Sequence, residues 1–257
     1  MTVNIVKVGG GIVEKEDTLG QLLNDFALLQ GPKILVHGGG RLATTLASQM
    51  GIETQMVDGR RVTDAQMLRI VTMTYAGLVN KQVVAQLQAR GINALGLCGA
   101  DCDILRSHRR SPLPIDYGFV GDIDRCNAAA LIALLEQGIT PVVAPLTHDG
   151  QGQLLNTNAD TIASAVATSL AAQADVTLTF CFELAGVLRD AHDESTVIPH
   201  ITADSFAQLK ADGIVQGGMI PKLENALNAC QAGVKRVIIT RADQLSRPDT
   251  GTVVTYQ

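Results

Sequence analysis

The chain has 257 residues, 46% hydrophobic and 18% charged, with a formal net charge of −5; this is the balance of a globular protein with a sizeable core. The charge gives no broad attraction to nucleic acid or acidic lipid, and aromatics at 3% with no Trp leave few rings for stacking on bases. Any anionic ligand must therefore be held by a local cluster of donors.

The N-terminal TVNIVKV reads as a strand rather than a leader peptide. Strands are predicted at residues 3–8, 33–37, 94–97, 140–144, 176–180 and 236–240, and helices at 18–29, 40–50, 64–90, 125–137, 159–171 and 219–232. This alternation predicts an α/β protein with a mainly parallel sheet and helices on its faces. Leu42, Leu46 and Met50 form one apolar stripe, and Gly51, Gly91 and Gly233 stand where helices stop. Residues 52–62, with Asp58-Gly59 between β-prone flanks, read as a hairpin, and residues 103–121 as a second hairpin or flap. The loop signal PLTHDGQG at 145–152 is the expected boundary between two lobes of one domain, approximately 1–150 and 151–257.

The most apolar stretch, 161–174, is too short and too interrupted by Ser, Thr and Gln to cross a bilayer. Cys98, Cys102, Cys126, Cys181 and Cys230 are odd in number and scattered, which suits free thiols in a reducing cytoplasm. Cys98 and Cys102 with Asp101 and Asp103 have no second pair to complete a metal site, so no bound metal is expected.

Two strands run into glycine triplets, IVKVGGG and ILVHGGG. Neither is a P-loop, because the chain contains no Gly-Lys pair. Gly38, Gly40 and Ala43 match a dinucleotide fingerprint, which makes an NAD-dependent oxidoreductase a rival reading, but the region beyond Met50 reads as a hairpin where that motif needs a strand ending in an acid. Each run alone is explained by a tight turn that lets a helix pack on its strand. Two such strand ends on one sheet edge make facing arrays of N–H donors, and Lys7 adds a charge, an arrangement suited to a polyphosphate. Three further segments follow: GRRVTD at 59–64, NTNAD at 156–160 and GGMIPK at 217–222. Singly, they read as helix caps and solvated lysines.

In this order, KVGGG, HGGG, GRRVT, NTNAD and GGMIPK resemble the amino acid kinase family from Lys7 to Lys222. The resemblance implies an αβα sandwich around a mainly parallel open sheet, ATP with Mg²⁺ as cosubstrate, and phosphorylation of the side-chain carboxylate of an N-acyl-L-glutamate in arginine biosynthesis. By position, Lys7 and Lys222 resemble the pair that neutralises the transferring phosphoryl group, and Asp160 the residue that positions both. Gly39, Gly40, Arg61, Asn156 and Asn158 fall at acyl-glutamate positions. Gly9, Gly10, Gly39, Gly186, Gly217, Gly218 and Lys222 fall at phosphate or ATP positions. No general base is needed, since a side-chain carboxylate is already ionised near pH 7.

The chain departs from the family in three places. TLTFCFELAGVLRD at 177–190 lacks the usual acidic residue after its strand, with Glu183 the nearest substitute and Phe180 and Phe182 read as buried at the sheet end. A nucleotide-binding sensor that has lost catalysis is the corresponding rival. The flap sequence ILRSHRRSP gathers Arg106, His108, Arg109 and Arg110, which raises N-succinyl against N-acetyl as the acyl group, with a solvated basic loop as the plain alternative. The first strand begins at once, and by resemblance this predicts a homodimer insensitive to arginine, with no nucleic-acid or membrane partner.

Overall fold

The computed structural model describes residues 1–190, 193–217, 219–247 and 250–256. In chain order the first half comprises β1 (Thr2–Val8), α1 (Gly10–Val13), α2 (Glu16–Leu28), β2 (Lys33–His37), α3 (Gly40–Gln49), β3 (Met56–Val57), β4 (Arg60–Arg61), α4 (Ala65–Val71), α5 (Asn80–Gln88) and β5 (Ala94–Leu97). There follow β6 (Leu105–Arg109), β7 (Gly121–Cys126), α6 (Ala128–Glu136), β8 (Thr140–Val143), β9 (Leu146–His148), β10 (Leu154–Asn156) and α7 (Ala159–Ala171). The last part holds β11 (Asp175–Phe182), β12 (His200–Ile201), α8 (Ala203–Ala211), α9 (Met219–Gln231), β13 (Arg236–Arg241) and β14 (Thr252–Val254).

The main sheet has the order β12-β14-β13-β11-β1-β2-β8-β5, parallel except where β14 runs against β13. Its central strand β1 is apolar on both faces, as a covered parallel strand must be. Alternation along β1 sends Val3 and Ile5 to the side of α7, against Ile162, Val166 and Leu170. Val6 and Val8 go to the side of α2 and α5, against Leu22, Phe26 and Val83. This period places Lys7 on the α7 side. The register Val8↔His37 sets the two glycine runs side by side at one edge of the sheet.

A second sheet, β10-β9-β6-β7, and the β3-β4 hairpin stand over that edge. The hairpin turns on Asp58 at φ 48 and Gly59 at φ 72, both left-handed, as the Asp-Gly pair predicts.

Two sequence expectations are corrected. The single helix expected at 64–90 is divided: α4 passes into a π-helical stretch, Thr72–Val79, before α5. Asp64 caps α4 through the Met67 N–H. The helix expected from Arg125 starts at Ala128, capped by Asn127, because Arg125 and Cys126 pair in β7 with Arg106 and Leu105. The short β12, α8 and β14 were not legible in advance; α8 is held by a capping box between Thr202 and Ser205. No helix among the described residues is long and apolar enough to cross a membrane.

Candidate active site

The C-terminal ends of β1 and β2 approach so closely that side chains are excluded. A Cβ on Gly38 would lie 2.9 Å from the Gly10 nitrogen, and one on Gly10 would lie 3.3 Å from the nitrogens of both Gly39 and Gly40. The first amides of α3 have no acceptor within their own helix; Glu14 Oε1 accepts from the Leu42 N–H at 2.8 Å, and the Gly39–Gly40 end presents its donors and a partial positive charge to the edge.

Two cavities meet here. The first is lined by Gly39, Gly40, Arg61, Asn156, Asn158 and Asp160, and the second by Gly9, Phe182, Glu183, Gly186 and Lys222; Lys7 and Gly10 line both. Lys7, 7% exposed, sits at the junction with its Nζ 2.7 Å from Asp160 Oδ1. Lys222 Nζ lies 3.8 Å from the other oxygen, Asp160 Oδ2. One carboxylate in the first turn of α7 thus holds two ammonium groups arriving from β1 and α9. Burial pulls the Lys222 pKa down; Asp160 opposes this, and the Lys7 charge adds to it.

In the first cavity Arg61 is aimed by three bonds to oxygen and a longer contact of 3.8 Å from Nη1 to Met67 Sδ. Its Nη2 donates to the Gly40 carbonyl at 2.7 Å and to Thr44 Oγ1 at 2.8 Å, and its Nη1 to Thr54 Oγ1 at 3.3 Å. Asn156 Nδ2 donates to Thr63 Oγ1 at 3.0 Å. Asn158 caps α7, its Oδ1 accepting from the N–H groups of Asp160 at 2.8 Å and Thr161 at 3.2 Å. Tyr75, carried by the π-helical stretch, closes the floor: a Cβ on Gly39 would stand 2.9 Å from its ring. Burial raises its phenol pKa, so the ring stays neutral.

The second cavity has an aromatic floor. Phe180 is buried, Phe182 stacks with it at 6.0 Å, and Lys222 Nζ lies 3.5 Å from the centre of the Phe182 ring, with Lys7 Nζ at 5.1 Å. Phe182 is therefore only partly the buried sheet-end residue expected. Glu183 faces Arg41 at 3.8 Å across the rim. Gly186 is packed where a Cβ would meet Thr252 Oγ1 at 2.8 Å. Gly217 lies in the turn before α9 at φ 54 and lines neither cavity, while Gly218 lies outside the described residues.

The basic flap is balanced by acids across its own hairpin. Arg106 pairs with Asp103 at 2.8 Å, His108 with Asp124 at 2.6 Å, Arg109 with Asp116 at 3.5 Å, and Arg110 with Asp122. Of these four basic residues, Arg110 reaches the first cavity, and it brings Asp122 with it. Asp103 also accepts from His148 and Arg125, so protein donors occupy the carboxylate beside Cys102.

Sequence reasoning missed Tyr75 and the Arg110–Asp122 pair, and placed Phe182 at the buried sheet end without its part in the cavity wall. Phe182 was readable only by alternation, two residues beyond Phe180 and therefore on the face shared with Lys7. Tyr75 carried no signal, because a π-helical stretch is set by packing rather than by periodicity.

An α/β sheet whose edge gathers glycine amides, two lysines and an arginine around paired cavities defines a protein that binds anionic groups and can bring two of them together. The amino acid kinase family pattern matches residues 2–241, and the chain belongs to that family. The acetylglutamate kinase of Phocaeicola vulgatus is 58% identical over 252 residues, covering 98% of each chain. That of Bacteroides thetaiotaomicron is 59% identical over 243 residues, covering 95% of each. A solved structure from Streptococcus mutans UA159 superposes with a TM-score of 0.80 at 28% identity, covering 99% of each chain.

Proposed function

We propose that this chain transfers the γ-phosphoryl group of ATP to the side-chain carboxylate of N-acetyl-L-glutamate, the second step of arginine biosynthesis. The observation that carries the reading is Asp160 between Lys7 and Lys222 at the junction of the two cavities. A carboxylate oxygen attacks the γ-phosphorus, the bond to the β–γ bridging oxygen breaks, and ADP leaves with that electron pair. Both reactants are anions, so the protein's task is alignment and charge stabilisation rather than proton transfer.

In this reading the first cavity takes the acyl-glutamate. The planar fork of Arg61 binds the α-carboxylate, Asn156 assists it, and the amides of Gly39 and Gly40 line the acceptor pocket. Asn158 acts through the start of α7, where it fixes Asp160. The second cavity takes the nucleotide: the Gly10 N–H donates to phosphate oxygens, Gly9, whose own N–H is held by the Cys181 carbonyl at 3.2 Å, fixes that backbone, and Gly186 sits beneath the nucleotide. Lys7 and Lys222 neutralise the charge that develops on the transferring group. Mg²⁺ enters on the triphosphate of ATP, since the carboxylate at the junction, Asp160, is taken by two lysines. The acceptor cavity draws mainly on residues 1–150, with Asn156, Asn158 and Asp160 from 151–257, and the nucleotide cavity draws on both lobes, in a cytoplasmic homodimer; sedimentation showing a hexamer would overturn the dimer.

The acyl group is acetyl, as in the names of the relatives, and the pairing of Arg110 with Asp122 favours a neutral group over a second carboxylate. The test is ADP formation from MgATP with N-acetyl-L-glutamate, N-succinyl-L-glutamate and free glutamate in parallel, with hydroxylamine trapping the acyl phosphate. Turnover of the acetyl substrate is expected. Turnover of the succinyl substrate alone would reassign the acyl pocket, and ATP binding without turnover would favour the sensor reading.

A further inference from the structure

His37 ends β2 immediately before the second glycine run, is fully buried, and has no part in the transfer as set out above. Burial drives its pKa down to about 4, with Lys81 acting in the same direction and the Gly38 hydrogen bond against it, so the ring is neutral. Its tautomer follows from its partners. Nδ1 lies 2.8 Å from the Gly38 carbonyl, which can only accept, so Nδ1 carries the proton. Nε2 then accepts from Asn80 Nδ2 at 3.1 Å. Asn80 is itself fixed: Nδ2 also donates to the Val142 carbonyl at 2.9 Å, and Oδ1 accepts from Lys81 Nζ at 3.1 Å.

The consequence lies in the next peptide. In a trans peptide the C=O and the following N–H point in opposite directions. With the Gly38 carbonyl held on the imidazole, the Gly39 N–H is turned away from it. The Gly39 and Gly40 nitrogens do face the first glycine run, where a Cβ on Gly10 would lie 3.3 Å from each. A Gly-Gly peptide lacks the side-chain restraints that fix other peptides, so its orientation needs an external anchor.

We propose that His37 is a positioning residue of the transfer site: its Nδ1–H holds the Gly38–Gly39 peptide so that the Gly39 N–H points at the group being transferred. This rests on the reaction given above. The pair Asn80 and Lys81, reached through the π-helical stretch, keeps the ring in the tautomer that can do so.

The test compares His37→Leu, which removes the donor, with His37→Asn, which keeps an N–H where Nδ1 stands. Losing one preorganised donor typically lowers kcat about 10²-fold. That loss is expected in the leucine variant with KM for N-acetyl-L-glutamate little changed, and the asparagine variant should recover most of it. His37→Ala serves the same comparison if the leucine variant does not fold. Equal losses in both variants, or wild-type kcat without the donor, would overturn the proposal. Crystal structures of the two variants give a readout that needs no turnover. A Gly38–Gly39 peptide rotated in the leucine variant and retained in the asparagine variant supports the role, and an unrotated peptide in both overturns it. An inactive wild-type chain would count against the reaction alone, since the peptide orientation still decides for or against His37.

Discussion

The Lys222 ammonium rests on the face of Phe182, 3.5 Å from the ring centre, and both residues line the second cavity. The ring is backed by the buried Phe180, so it is a fixed platform rather than a mobile cover. A partly desolvated cation–π contact contributes about 1–2 kcal/mol. Phe182→Leu should therefore lower kcat/KM for ATP by about 5- to 30-fold, with Phe182→Tyr close to wild type. Steady-state kinetics on the two variants check this, and equal activity in both would remove the ring from the mechanism.

Asp160 holds Lys7 and Lys222 together, and it raises the Lys222 pKa against burial and the Lys7 charge. Asp160→Asn removes that opposing contribution. The Lys222 pKa then falls further, and because the proposed role of Lys222 needs its charge, the alkaline limb of the kcat/KM profile moves to lower pH. A drop in kcat of about 10²–10³ at neutral pH accompanies it. A pH–rate profile of the variant measures both, and an unmoved alkaline limb would separate Lys222 from the rate.

The opposed glycine runs predict a positional contrast. Gly38→Ala would put a methyl 2.9 Å from the Gly10 nitrogen and 3.2 Å from its Cα, where only backbone can yield. Turnover should fall about 10²-fold or more, since in the proposed reaction the displaced amides are the phosphate donors. Gly77→Ala meets nothing within 4 Å and lies in a helical stretch, so it should leave kcat unchanged and raise stability by up to about 1 kcal/mol. Activity and thermal unfolding of the pair give the answer.

His37 also predicts a pH dependence of stability. Its pKa is about 4 when folded against 6.5 for the free group, so between these values the unfolded chain binds the extra proton. The contribution is complete above pH 6.5 and is lost as pH falls towards 4, by on the order of 3 kcal/mol. Lys81 is the charged group that lowers it by its field, and it stays positive throughout this range. Denaturant midpoints of wild type and His37→Asn across that range should diverge on acidification, the variant losing less.

Much of this protein was legible in one dimension. Apolar runs such as NIVKV and KILVH predict strands covered on both faces, because a parallel sheet between helices leaves no wet side, and each predicted strand is present. The glycine runs, NTNAD and the lysines at 7 and 222 mark the sheet edge and two helix starts, since backbone approach and capping depend on local residue types. The break in the 64–90 helix and the small strands β12 and β14 were not legible, because packing against distant segments sets them.

What residue order alone determined is which groups stand at which strand ends: glycine where two backbones must touch, Lys7 on the odd face of β1, and Asp160 in the first turn of a capped helix. What only the tertiary structure decided is which of them meet. The register Val8↔His37 opposes the glycine runs, and α7 lying on the odd face of β1 brings Asp160 to Lys7. The β6-β7 hairpin pairs each flap cation with an acid, and Phe182 comes to lie under Lys222. The physical reason is that alternation and capping act over a few residues, whereas ion pairs and ring contacts depend on distances between segments as much as 215 positions apart, such as Lys7 and Lys222, which only the packed sheet sets.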